Sequence, residues 1–377
     1  MGCGGGGDEN TRIRGGTLTV YVSAPVHGIS AEAGAAALAG ARRALTDAGG
    51  RAAGKRLRLV ALSSTRPGDQ GWDPGTVEAG AERAVDDPTA VAYLGEAERG
   101  ASAVSLPVTN RAGLLQVSPA DGLTSLTTAP PGRPRAGPER YYPDEKRTFV
   151  RLVPADLEVV DAMLSEVPPE ASRSVAVVHT EGFAERELAG MVAYRLRRKG
   201  RPAVLVEPLR SDSDAPRALV DELVAKPPGA ILLAVAAGAP ARAMLTELAG
   251  RLPSVPVVAS PPLASRRGLG RLPPQAEAVT GLLPPGVQPP RGRRLLRSLG
   301  RREPEALYGY DAMALALDAI QTGGPDRRKV VAAALRPVRR RGVTGRYSVR
   351  RDGATQGRRL AIVDLAGGRV SLRPQSP

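Results

Sequence analysis

Two short stretches hold most of the polar side chains that could meet a small molecule. Glu96-Ala97-Glu98-Arg99-Gly100-Ala101-Ser102 follows the apolar run Val91–Leu94, and Ser118-Pro119-Ala120-Asp121-Gly122 follows the apolar run Leu114–Val117. Each run reads as a buried strand and each polar stretch as the turn that ends it. Gly100, Ala101 and Ser102 stand at the expected start of a helix between them. Ligands of open parallel sheets bind outside the carboxyl ends of the strands, so these loops are expected to form half of a small-molecule site. Their chemistry is hydrogen bonding and charge: helix-start amides, the Ser102 and Ser118 hydroxyls, the Glu96 and Asp121 carboxylates and the Arg99 guanidinium. Other strand ends offer Ser23, Thr180-Glu181-Gly182-Phe183, Ala236-Ala237-Gly238 and Ser260.

The same residues give little support to catalysis. His27 and His179 have no Ser or Cys partner motif, and there is no G-x-S-x-G elbow, P-loop or G-x-G-x-x-G after the first strand. His179, at a strand end, is the one residue that keeps an enzyme reading open. One Cys and two His exclude an internal disulfide and argue against a metal centre, so no catalytic residue, metal or cofactor is expected. The net charge of +15 invites a nucleic-acid or anionic-surface reading. Aromatics are only 3% and the Arg residues are scattered, which leaves little to stack on bases. No nucleic-acid partner is expected, and the clusters Arg291–Arg302 and Arg336–Arg341 read as solvated faces and loop ends.

The elements that must position these residues alternate along the chain. Thr17–Val22 reads as a strand, followed by a helix from Ser30 that Gly49-Gly50 stops. Leu57–Leu62 is a strand, and Asp73-Pro74 pairs a cap with a first-turn proline. Pro107 is expected to kink the helix after Ser102. Ala129–Arg147, rich in Pro, Gly and charge, breaks the rhythm as a linker. The alternation then resumes with strands at Phe149–Val153, Ser174–His179, Ala203–Glu207, Ala230–Val235 and Val255–Ala259 and helices between them. Two doubly wound parallel sheets are expected, and 377 residues suffice for about two domains. Later pieces complete them: a short apolar run at Gly281–Leu283, a basic helix at Arg294–Arg301, a helix at Tyr308–Ile320, and a hairpin of Gly345–Val349 with Arg359–Asp364.

The start, MGCGGGGDEN, resembles the mature end of a bacterial lipoprotein, in which the Cys after a removed signal peptide carries lipid. Cys3 is then a lipidation site and the Gly run a tether. An incidental Cys in a flexible tail is the other reading.

Taken together, the motifs resemble those of type I periplasmic binding proteins, in particular the branched-chain amino-acid receptors of ABC importers. Asp47-Ala48-Gly49-Gly50 with Gly54 is similar to a turn of that family, and Asp86-Asp87 before Val91 to its next strand. Arg111-Ala112-Gly113 through Ala120, Phe149-Val150-Arg151 with Pro154-Ala155-Asp156, Tyr310-Asp311-Ala312 and Gly345-Arg346-Tyr347 follow in the family's order, over roughly residues 17–365. The resemblance implies an α/β fold of two doubly wound lobes joined by a hinge of three crossings, near Arg147, Gly281 and Pro337. The expected lobes are 17–147 with 282–337 and 148–281 with 338–377, after a tether over 1–16.

It also implies an extracytoplasmic, membrane-anchored protein that captures an amino acid or similar solute between the lobes and delivers it to an ABC-transporter permease. A ligand-sensing domain of the same fold is the alternative. The amides of Gly100, Ala101 and Ser102 and the Ser102 hydroxyl would meet the ligand carboxylate, although Ser102 reads equally as a helix cap. Ala120 offers backbone groups. Asp121 either receives an ammonium or caps a helix from Gly122. Glu181 would pair with an ammonium, Phe183 would pack on an apolar part, and Tyr142 would cover the cleft, with Ser23, Glu96, Arg99, Ala237 and Ser260 around them.

Overall fold

The computed structural model describes residues 11–265 and 271–373. Cys3 and most of the expected tether lie outside the described residues. In chain order the first elements are β1 (Thr17–Ala24), α1 (Ala31–Asp47), β2 (Arg51–Ala52), β3 (Lys55–Ser63), α2 (Pro74–Asp86), β4 (Ala90–Leu94), α3 (Ser102–Arg111), β5 (Leu115–Ser118) and β6 (Phe149–Arg151). Next come α4 (Asp156–Glu166), β7 (Val175–His179), α5 (Phe183–Arg198), β8 (Leu205–Pro208), α6 (Ala215–Ala225), β9 (Ala230–Ala234), α7 (Ala239–Arg251), β10 (Val257–Ala259) and β11 (Ala276–Thr280). The chain ends with α8 (Pro290–Leu299), α9 (Glu305–Gly323), α10 (Arg327–Ala334), β12 (Arg339–Gly342), β13 (Gly345–Val349), β14 (Thr355–Gln356), β15 (Ala361–Asp364) and β16 (Val370–Leu372). These fall into two compact units. One holds the residues up to Thr128, Ala136–Val153 and Gln288–Arg358; the other holds Ala129–Arg135, Pro154–Val287 and the residues from Arg359.

In the first unit the sheet order is β2-β3-β1-β4-β5-β6, all parallel except the β2–β3 pair. Ala53 and Gly54 join β2 to β3 with positive φ at both positions, 50° and 73°, the conformation of a two-residue hairpin turn. Helix α1 buries Gly34, Ala36, Ala37, Gly40, Ala41 and Ala44. A Cβ on Gly40 would collide with the Ala306 carbonyl oxygen of α9, and one on Gly309 with that of Ala37. Small residues let these two helices pack backbone to backbone, which replaces the bulk that a chain poor in aromatics lacks.

Long-range polar contacts lock the later elements onto this unit. Asp311 of α9 is fully buried and accepts from the Val343 and Thr344 amides at 2.8 and 3.1 Å. Burial raises its pKa while Arg358, 3.8 Å away, opposes that rise. Arg327 of α10 donates to the carbonyls of Ala90 and Asp87 at 2.9 and 3.1 Å.

The second unit orders its strands β16-β15-β11-β10-β9-β7-β8, with β15 and β16 antiparallel. Alternation along each strand covers both faces. Ala176, Val178, Ile231 and Leu233 pack with Leu219, Val220, Met244 and Leu245 of α6 and α7. Val175, Val177, Ala230 and Leu232 pack with Val159, Met163, Leu188 and Val192 of α4 and α5. Each Val, Leu, Ile or Met among them contributes about 1.5–3 kcal/mol relative to exposure.

Two expectations need correction. Gly345–Val349 pairs with β12 and β14, whereas Ala361–Asp364 pairs with β11 and β16 in the other unit, so the expected hairpin does not form. Accordingly the last passage between units falls after Arg358 rather than near Pro337, because Asp311 holds the β12–β13 turn to α9. The sheets are mainly parallel but mixed, with an antiparallel strand pair at an edge of each. Helix α3 runs continuously through Pro107.

Candidate ligand-binding site

The two loops first singled out form one buried network at the strand ends of the first unit. Glu96 is the centre of it. Its carboxylate accepts from the Ser23 hydroxyl and the Tyr93 hydroxyl, each at 2.6 Å. Its amide donates to Ser102 Oγ at 3.1 Å, and its carbonyl accepts from Ser118 Oγ at 2.8 Å. Burial pushes the Glu96 carboxyl up to about 7; the Ser23 and Tyr93 hydrogen bonds pull it down and the charge of Asp121 adds to the rise. The Tyr93 hydroxyl is driven up by burial and by the adjacent carboxylate.

Asp121 caps α3 from the neighbouring loop. It accepts from the amides of Gly100 and Ser102, both at 3.0 Å, and of Leu123 at 3.1 Å. Burial raises its pKa against those three amides. The capped helix is therefore the one beginning at Ser102, not one from Gly122, which leads into a single short turn at Thr124–Leu126. Helix N-termini attract anions, and here an internal carboxylate already fills that position. Ser118 Oγ also accepts from the Ala120 and Asp121 amides at 3.3 and 2.8 Å. Ala101 is buried, and Arg99 and Ala120 are half-buried.

Tyr142 is 3% exposed, donates to the Leu126 carbonyl at 2.8 Å and has Arg147 over its ring at 4.3 Å. Burial pushes its hydroxyl up to about 12. It is packed within the first unit. Sequence reasoning passed over Tyr93, Ser64 and Gln116. Tyr93 sits inside a strand run and carries no loop signal. Ser64 donates to Glu98 at 3.2 Å, and the polar end of β3 was the clue to it. Gln116 donates to the Gly95 carbonyl at 3.2 Å and to Ser105 at 2.9 Å, tying β5 to the loop after β4.

In the second unit the strand-end residues differ in exposure. Ser260 is buried, its hydroxyl 3.3 Å from both the Val235 amide and carbonyl. Ala237 is half-buried beside the Thr180 hydroxyl's partner, the Ala236 amide. Glu181 is exposed, and Phe183 is 38% exposed at the start of α5. His179 Nδ1 lies 2.9 Å from the Thr180 carbonyl. Among the described residues no group of three His, Cys, Asp or Glu side chains could hold a metal ion, and no helix is long and apolar enough to cross a membrane.

Known structures share this architecture. A leucine-binding protein from Thermotoga maritima is similar with a TM-score of 0.76 at 19% identity, over 95% of this chain and 98% of that one. A solute-binding protein of an ABC transporter from R. palustris, in complex with benzoate, matches with a TM-score of 0.75 at 15% identity, over 95% of both chains. A branched-chain amino-acid transporter substrate-binding protein from Streptococcus pneumoniae, in complex with isoleucine, gives 0.73 at 16% identity, over 96% of this chain and all of that one (100%). Comparison with curated protein sequences finds no match. The profile of the periplasmic binding protein family matches residues 17–369. The chain therefore belongs to the periplasmic binding protein family, a family of solute-binding proteins rather than enzymes.

Proposed function

We propose that this protein is the extracytoplasmic receptor of an ABC importer, anchored by lipid on Cys3, that captures an amino acid or similar amine-bearing solute with its strand-end loops and hands it to the permease. Family membership over residues 17–369 supports the receptor role, and the relatives bound to isoleucine and benzoate support a small organic ligand. The solute class rests on one observation: Asp121 occupies the Gly100 and Ser102 amides. A ligand carboxylate would have to displace a buried carboxylate from its donors, and Glu96 stands beside it. An ammonium meets no such obstacle, and the exposed Glu181 carboxylate is available to receive it. Phe183 would pack on the apolar part.

A thermal-shift screen over amino acids, primary amines, amino-acid amides and aromatic acids tests this reading. Amine-bearing compounds should raise the melting temperature, and Glu181→Gln should weaken the best of them about tenfold, the loss expected for one charge-assisted contact. A flat response to every class, or benzoate as the strongest stabiliser, would sink it.

A further inference from the structure

The two basic clusters that the sequence separates meet in the first unit. Arg291 and Arg294, one turn apart on α8, and Arg341 of β12 line a basin of about 460 Å³, together with Arg43 of α1 and Tyr310 of α9. That volume is in the range of small-ligand sites.

The acids in its wall are already engaged. Asp47 accepts from Arg43 at 2.7 Å and from the Tyr310 hydroxyl at 3.0 Å. Arg43 also donates to Ser298 at 3.1 Å. Asp311 points its carboxylate at the Val343 and Thr344 amides. Among the described residues, the guanidinium groups of Arg291, Arg294 and Arg341 have no ion pair or hydrogen bond. Three uncompensated cations around one depression raise a local positive potential. Nothing in the packing requires them there, since all three are exposed. Guanidinium groups recognise oxyanions through paired N–H donors. The wall holds only three apolar side chains, Leu295, Ala314 and Val343, too few to favour a hydrophobic acid.

We propose that this basin binds a multiply charged phosphoryl group, held by Arg291, Arg294 and Arg341. It draws on α1, α8, α9 and β12, not on the strand-end loops, so it is independent of the solute proposed above. The phosphoryl group can arrive free in solution or on the headgroup of an anionic phospholipid.

The full chain is titrated calorimetrically with pyrophosphate at low ionic strength, and sedimented with phosphatidylcholine vesicles with and without phosphatidic acid. Wild type is compared with Arg294→Ala/Arg341→Ala and with Arg297→Ala/Arg302→Ala, which removes the same charge outside the basin. The basin variant should lose at least tenfold in affinity while the control stays within about twofold. Loss with pyrophosphate identifies a soluble phosphoryl ligand, and loss confined to phosphatidic acid vesicles identifies the headgroup. Absence of binding to both probes, or equal losses in the two variants, would overturn the site.

Discussion

Glu96 is an acid whose two oxygens are filled by Ser23 and Tyr93 and whose pKa is pushed up to about 7 by burial, from the ordinary 4.5 of a glutamate. In the unfolded chain the group loses its proton near pH 4.5, while the folded protein keeps it until about 7. Between those values the folded state binds more protons, so this group's stabilisation is full below pH 4.5 and is lost as pH rises towards 7. The loss is on the order of 3 kcal/mol. Melting curves of Glu96→Gln and wild type should therefore converge at low pH and separate, with wild type falling faster, as pH approaches 7; parallel curves would mean Glu96 titrates normally. Asp121→Ala should cost on the order of 3 kcal/mol in denaturant melts, because three buried amides lose their acceptor, and Asp121→Asn less, because one oxygen remains. These residue types stood in plain view in the sequence. Their partners did not, since Asp121 meets Ser102 across 19 positions of sequence and no spacing rule links the two loops. Tyr142's partner was hidden for the same reason: nothing in a proline-rich stretch points to the Leu126 carbonyl that its hydroxyl meets.

At the scale of elements, the α1–α9 contact is the one most sensitive to a single methyl group. Gly40→Ala and Gly309→Ala each drive a Cβ into a facing carbonyl and should destabilise by about 1–3 kcal/mol or more, read as a lower denaturant midpoint. Gly80→Ala in α2 has room, with Leu62 at an ordinary 3.5 Å, and should stabilise by about 0.5–1 kcal/mol through helix propensity. Opposite signs for these glycines test the packing directly. Most elements were legible because their signals are local. Asp73 caps α2 by accepting the Thr76 amide at 2.8 Å, with Pro74 in the first turn, as its dipeptide foretold. The doubly covered strands β7 and β9 announced themselves as unbroken apolar runs. What escaped was non-local or short. Strand β11 lies at Ala276–Thr280, ahead of the apolar run expected there. Helix α10 is anchored by Arg327 to distant carbonyls. The pairing of β13 with β12 rather than β15 depends on a turn held by Asp311.

For the whole molecule, two mainly parallel sheets and a family match over residues 17–369 give a binding protein with a +15 charge, and three of its exposed arginines line the α8–β12 basin. A ligand that binds only the folded state stabilises it by about 2.7 kcal/mol at a hundredfold excess over Kd, so the solute should be visible in melting experiments before any transport assay. In the proposed reading its chemistry turns on the anion position that Asp121 fills. The most direct test is calorimetric titration of the full chain with the amino acid that gives the largest thermal shift, with its amide, and with its des-amino acid. An amide that binds within about tenfold of the parent, and a des-amino acid that does not bind, is the predicted result. A des-amino acid that binds as tightly as the parent would contradict the assignment.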